Sequence, residues 1–121
     1  MPAAVRICRS PDVAEEGRLV VDIEIDTGVQ TVGLFRLDGK LFAYQNVCPH
    51  QGGPVCQGTL LPRVVENSAG SAFHPTDRHI VCPWHGFEFD IRTGAHAGGG
   101  AFHLTPVEVR ETNGEVFAEI P

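Results

Sequence analysis

No stretch of this 121-residue chain stays apolar for the roughly 20 residues a membrane-spanning helix needs, and Met1 to Ser10 holds no apolar run. Basic residues are scarce: nine Lys and Arg stand against fifteen Asp and Glu, a formal charge of −6. With no basic patch to neutralise phosphates, nucleic acid is not an expected partner. The mild acidic balance still permits a partner with a basic docking face. No segment repeats its apolar residues with a 3.6-residue period, so helices are not expected. G-x-G-x-x-G, a P-loop and a serine or cysteine nucleophile motif are all absent. These absences point to a cytoplasmic protein without catalytic machinery of its own. Its length predicts one domain over 1–121, and 42% hydrophobic residues suffice for a modest core.

What is present is a series of short strands. Arg6 to Arg9 can form a first one. From Arg18 to Asp26, Leu19, Val21, Ile23 and Ile25 alternate with Val20, Asp22, Glu24 and Asp26, the period-2 pattern of a half-buried strand. Asp26-Thr27-Gly28 reads as a turn before a strand over Gln30 to Leu37. Asp38-Gly39 is a hairpin signal, with Lys40 to Gln45 returning. Further strands are expected over His79 to Cys82, Phe87 to Ile91, Pro106 to Glu111 and Glu115 to Ile120, the last two joined by Asn113-Gly114. Thr93-Gly94 is a turn, and Gly98-Gly99-Gly100 opens a flexible loop. Residues 57–79 show no periodicity; Leu60, Leu61, Val64 and Val65 suggest that part of them packs or forms a short hairpin. The whole predicts an all-β fold.

Two loops carry the chemistry. Cys48-Pro49-His50-Gln51-Gly52-Gly53 (box 1) follows the Lys40 to Gln45 strand directly, and Cys82-Pro83-Trp84-His85-Gly86-Phe87 (box 2) joins two later strands. Each offers one thiolate and one imidazole. A tetrahedral Zn²⁺ accepts two Cys and two His, and so does a [2Fe–2S] cluster with the sulfurs on one iron and the imidazoles on the other. Zinc patterns usually group the two Cys and then the two His. Here each loop holds one of each, so each can serve both irons.

These two boxes resemble the cluster-binding boxes of the Rieske family, nearest its ferredoxin-like branch, and the similarity runs through most of the chain. The resemblance implies the Rieske fold: antiparallel sheets in an incomplete barrel or sandwich, with a cluster-binding subdomain inserted at about 46–91. Residues 51–81, between His50 and Cys82, exceed the usual separation, so an insertion is expected at about 57–79. It implies one [2Fe–2S] cluster with Cys48 and Cys82 on one iron and His50 and His85 on the other. It further implies a soluble ferredoxin carrying single electrons from a flavin- or iron–sulfur-containing reductase to an oxygenase or similar terminal enzyme. A mononuclear oxygenase iron site would need a further domain that this length cannot hold. Two alternatives stay open: a small subunit bound within a reductase, similar to that of assimilatory nitrite reductase, and a zinc-binding interaction module.

The resemblance also bears on the potential. Neutral imidazoles in place of thiolates make the cluster more positive and raise its potential above that of an all-Cys cluster. In high-potential Rieske proteins a Ser just after the box 2 Gly and a Tyr two residues later donate hydrogen bonds to cluster sulfurs, and a disulfide ties the loops. Here Phe87, Phe89 and Trp84 hold those places. A potential near the lower end of the Rieske range, about −150 mV, follows.

The remaining candidates read as structural. Cys8, beside Val5 and Ile7, and Cys56 are expected to be small buried fillers. His74, His79, His96 and His103 have no cysteine at ligand spacing and are expected at the surface or in hydrogen bonds. Glu88 and Asp90 read as solvated strand charges. No charged residue occurs from Leu41 to Pro62 or from Thr93 to Val107. By resemblance these stretches are the first cluster loop and a third loop shielding the cluster, a neutral docking face.

Overall fold

The computed structural model describes residues 3–25, 28–49, 52–67, 70–83, 86–99 and 102–120, with side chains left out at 3, 63–67, 71–77 and 120. Among these residues lie β1 (Ala3–Arg9), β2 (Arg18–Ile25), β3 (Gly28–Leu37), β4 (Lys40–Gln45), β5 (Thr59–Asn67), β6 (Gly70–Val81), β7 (Glu88–Asp90), β8 (Glu108–Thr112) and β9 (Glu115–Ile120). The helical pieces among them are two single 3₁₀ turns, Ser10–Asp12 and Val55–Gln57. The strands form three antiparallel sheets, none closed: β1-β9-β8, β2-β3-β4 and β5-β6-β7.

The sheet β2-β3-β4 is the middle layer, and strand alternation shows why. Along β3, Val32 and Leu34 enter one core, which they share with Ile23 of β2 and with Cys8, Val116 and Ala118 of the outer strands. Phe35 and Leu37 enter a second core with Ile80 and Phe89. Along β4, Ala43 faces the first core and Tyr44 the second. A strand buried on both faces must be apolar at nearly every position, as Val32 to Phe35 are. β2 follows its period-2 pattern: Leu19, Val21, Ile23 and Ile25 line the first core while Asp22 and Glu24 are exposed. The hairpin signals hold. Asp38 and Gly39 (φ 52° and 76°) join β3 to β4, and Asn113 and Gly114 (φ 53° and 77°) join β8 to β9. The Asp26-Thr27 part of the expected turn lies outside the described residues.

Residues 57–79 are more regular than expected. The short hairpin suggested by Leu60, Leu61, Val64 and Val65 is part of a longer one, β5 with β6, that takes up most of the stretch. The register explains why alternation failed to show it. Pro62 pairs with Arg78, but Val64 pairs with Phe73, so β6 carries extra residues in a bulge between these pairs, next to a proline that cannot donate to the ladder. One slip of this kind moves every later side chain out of phase.

Residues 94–99 and 102–107 strap two sheets together. Asp90 N–H donates to the Ala95 carbonyl (2.9 Å) and Ala97 N–H to the Glu88 carbonyl (2.8 Å), so the strap pairs with β7. Gln45 N–H then donates to the Thr105 carbonyl and Val107 N–H to the Ala43 carbonyl, both at 2.9 Å, so it also pairs with β4. β4 feeds box 1 and β7 leaves box 2. The strap is therefore placed to hold the two boxes in register.

Candidate metal centre

The described residues of the two boxes share one pattern of backbone hydrogen bonds. In box 1, Cys48 N–H donates to the Gly53 carbonyl (2.7 Å) and Gly52 N–H donates back to the Cys48 carbonyl (2.8 Å). In box 2, Cys82 N–H donates to the Phe87 carbonyl (2.8 Å) and Gly86 N–H donates back to the Cys82 carbonyl (3.1 Å). The glycine stands at the same place in both and has a left-handed backbone in both, with φ 80° at Gly52 and 71° at Gly86. A side chain there would strain the turn, which accounts for glycine in each box.

Both cysteines enter the core between the middle sheet and β5-β6-β7. Cys48 and Cys82 are 3% and 2% exposed, in one cluster with Tyr44, Val55, Phe89 and Leu104. None of the four cysteines is in a disulfide among the described residues. His50 and His85 lie outside the described residues, so the structure locates the thiol half of the expected ligand set. Two buried thiols delivered by matching turns into one core, each with a histidine two or three residues on, are donors suited to a [2Fe–2S] group.

The surroundings of the boxes contain residues that pattern reading missed. Asn46, two residues before Cys48, bonds through its backbone N–H and both ends of its side-chain amide. Its backbone N–H donates to the Thr31 carbonyl (2.9 Å), its Oδ1 accepts from Cys56 N–H (2.8 Å), and its Nδ2 donates to Gln57 Oε1 (3.0 Å). Arg18 adds a bond to the Cys56 carbonyl (3.0 Å) and another to that of Gly58. Box 1 is thus fastened to the turn that follows it. Tyr44 is 4% exposed and donates its hydroxyl to the Ile91 carbonyl at 2.6 Å, and burial pushes its phenol up to about 12. Nothing in a single sequence marks a tyrosine or an asparagine for such a role.

Around box 2 the fastening is aromatic. The His96 ring stacks on Phe87 (centroids 4.9 Å apart, 30° between planes), and Phe102 meets Phe87 edge-on at 5.5 Å. His96 Nδ1 lies 3.1 Å from the Gly99 carbonyl, which closes the strap over the ring. His79 is buried on β6, where Nδ1 meets Glu88 Oε2 and Nε2 lies 3.8 Å from Asp90 Oδ2. Glu88 and Asp90 are therefore partnered carboxylates, not merely solvated ones. His103 is exposed, and the His74 side chain lies outside the described residues.

Cys8 and Cys56 are the buried fillers expected. Cys8 sits in the core of the outer sheet. Cys56 is fully buried against Gly33, where a Cβ would come within 2.4 Å of its sulfur. Burial raises both thiols, Cys56 to about 12, which leaves it protonated and a poor metal ligand.

Comparison with known proteins bears on the identity of the centre. The Rieske [2Fe-2S] domain family matches residues 3–103. Apoptosis-inducing factor 3 of Homo sapiens and of Mus musculus are each 32% identical over 88 residues, covering 73% of this chain. The chain spans only 11% of the length of those relatives. In fold it is similar to the Sphingomonas yanoikuyae B1 ferredoxin, with TM-score 0.70 at 23% identity over 98% of this chain and 100% of that one. It is also similar to the ferredoxin of carbazole 1,9a-dioxygenase from Nocardioides aromaticivorans IC177, with TM-score 0.66 at 20% identity over 98% and 99%. The chain belongs to the Rieske [2Fe-2S] domain family, and its cofactor is a [2Fe–2S] cluster.

Proposed function

We propose that this chain is a one-electron carrier of the Rieske ferredoxin type, in which Cys48 and Cys82 hold one iron and His50 and His85 the other. The observation that carries the reading is the shared hydrogen-bond pattern at the ends of the two boxes, with Cys48 and Cys82 in one core. The cluster takes up and gives back a single electron. The chain's own residues present the thiolates from rigid turns, exclude water with the Leu104 and Phe89 side chains, and hold the loops together through the strap. No substrate is required, and the carrier is not itself an enzyme.

The partners proposed are a flavin- or iron–sulfur-containing reductase and an oxygenase or similar terminal enzyme. The likeness to a dioxygenase ferredoxin over nearly the whole of both chains supports this. So does the uncharged stretch Thr93 to Val107, which provides a neutral face beside box 2. The cluster-binding unit proposed is 46–91; the sheet β5-β6-β7 is built wholly within it. No helix of the described residues is long and apolar enough to cross a membrane, and the cytoplasm is the proposed location.

The test is an EPR spectrum of the dithionite-reduced protein with its iron and zinc content. A Rieske signal with two irons per chain is expected, from a red-brown protein. A colourless protein holding one zinc would sink the carrier reading in favour of an interaction module.

A further inference from the structure

We propose that Tyr44 is a positioning residue for the centre, fixing box 1 against box 2 from inside the core. The inference rests on the reading of Cys48 and Cys82 as ligands of one centre. The two boxes hang from different sheets: β4 leads into box 1, and β6 and β7 flank box 2. No ladder joins those sheets directly among the described residues, so their spacing depends on side chains, on the strap and on the Val55–Gln57 turn that leads from box 1 into β5.

Tyr44 reaches every part of this junction. It stands four residues before Cys48 on β4. Its hydroxyl donates to the carbonyl of Ile91, the first residue beyond β7. Its ring edge lies against Gly94 at the start of the strap, where a Cβ would stand 3.0 Å from Cε1. Its backbone forms a bridge with Pro106 at the far end of the strap. Phe42, the preceding ring on the same face of β4, packs at the margin of that core and has no hydroxyl to offer. The 2.6 Å bond is buried, so its loss leaves the Ile91 carbonyl without a donor in a place water does not reach. The phenol, raised to about 12 by burial, stays protonated and donating across the working pH range.

Tyr44→Phe keeps the ring and removes the bond. Hydrogen–deuterium exchange by mass spectrometry on the purified protein reads the outcome, because the amides of Cys48, Gly52, Cys82 and Gly86 are all hydrogen-bonded within the boxes. Exchange in both boxes should quicken by about tenfold while β1, β8 and β9 are unchanged. The reduction potential should rise, since looser loops admit water and water favours the more negatively charged reduced cluster. Ile23→Val, in the opposite core, is the control for a general loss of stability. It should quicken exchange in the outer sheet and leave the boxes and the potential alone. Box amides in Tyr44→Phe that exchange at the wild-type rate, or a rise shared equally by all three sheets, overturn the proposal. A wild-type protein without a Rieske signal removes the carrier reading instead, and the exchange comparison still decides the role of Tyr44.

Discussion

Around Cys48 the loop is fastened by amides and a guanidinium: Asn46 bonds to Thr31, Cys56 and Gln57, and Arg18 to the Cys56 carbonyl. Around Cys82 it is fastened by rings, with Phe87, His96 and Phe102 in mutual contact. Yet the two turns have the same hydrogen bonds and the same left-handed glycine. The difference teaches that the turn is a local property of each box, set by where the glycine falls after the cysteine. Stability and electronic tuning belong to the surroundings and can differ from one box to the other.

The largest effect should come from the ligands, where the boxes are equivalent. His50→Ala and His85→Ala should each abolish the cluster, since on the proposed ligation each removes an iron ligand. His74→Ala, His79→Ala, His96→Ala and His103→Ala should retain it. Iron content and the visible spectrum report the result. A full cluster in His85→Ala alone would break the equivalence and, with it, the ligand assignment.

Next come changes that separate the turn from its setting. Gly52→Ala and Gly86→Ala should cost about the same, roughly 1–2 kcal/mol each, because both force a side chain into left-handed backbone. Asn46→Ala should cost about 1–3 kcal/mol by leaving the Cys56 N–H buried without an acceptor. His96→Ala should cost less, about 0.5–1.5 kcal/mol, since it removes one partly exposed ring from an aromatic cluster. Urea denaturation of the four variants orders them. Unequal glycine costs would show that the surroundings reach into the turn itself.

The potential should respond on the side of box 2. Phe87→Ser and Phe89→Tyr each introduce a hydroxyl where high-potential relatives of the family carry a donor to a cluster sulfur, and each should raise the potential from about −150 mV. Phe87 is half-buried and Phe89 fully buried. The serine can therefore be accommodated readily, while the tyrosine must fit its hydroxyl into a packed core and should deliver a smaller gain. Voltammetry on both variants and the wild type settles it; a wild-type value well above zero contradicts the low-potential reading.

Much of this was legible from residues alone, for reasons that differ by region. The strands of the middle sheet announce themselves because one face of β2 is wet, and the two-residue turns at Asp38-Gly39 and Asn113-Gly114 need their particular residues. Cys48 and Cys82 stood out as candidates because ligand chemistry restricts residue type. The β5–β6 hairpin was legible only in part, at Leu60, Leu61, Val64 and Val65, since the bulge between Pro62 and Val64 shifts the phase of the pattern. Tyr44 and Asn46 were not legible: their importance lies in partners 47 and 10–11 residues away that only the folded chain brings near.

The smallest effect should come from the two cysteines outside the boxes. Cys8 lies in the outer core, and Cys56 lies beside box 1 with its thiol 3.8 Å from the carbonyls of Tyr44 and Gln45. A serine at 56 can direct its hydroxyl at the same carbonyls, so the Cys8→Ser, Cys56→Ser double variant should keep its cluster and nearly the same potential. The variant also has a pH signature with a definite sign. Burial raises the folded-state pKa of Cys56 to about 12, above its value of about 8.5 in an unfolded chain. The stability tied to the neutral thiol is fully present below the unfolded value and is lost as pH rises through the folded one. Cys8 shifts in the same direction. Wild-type stability should therefore fall from about pH 8.5 towards pH 12, and the double variant should fall less steeply, with the remaining slope owed in part to Tyr44, whose phenol is raised for the same reason. Urea midpoints at pH 7 and pH 10 measure this. A marked loss of iron in the double variant at pH 7 would show that Cys56 supports the centre directly and that box 1 depends on its surroundings more than box 2 does.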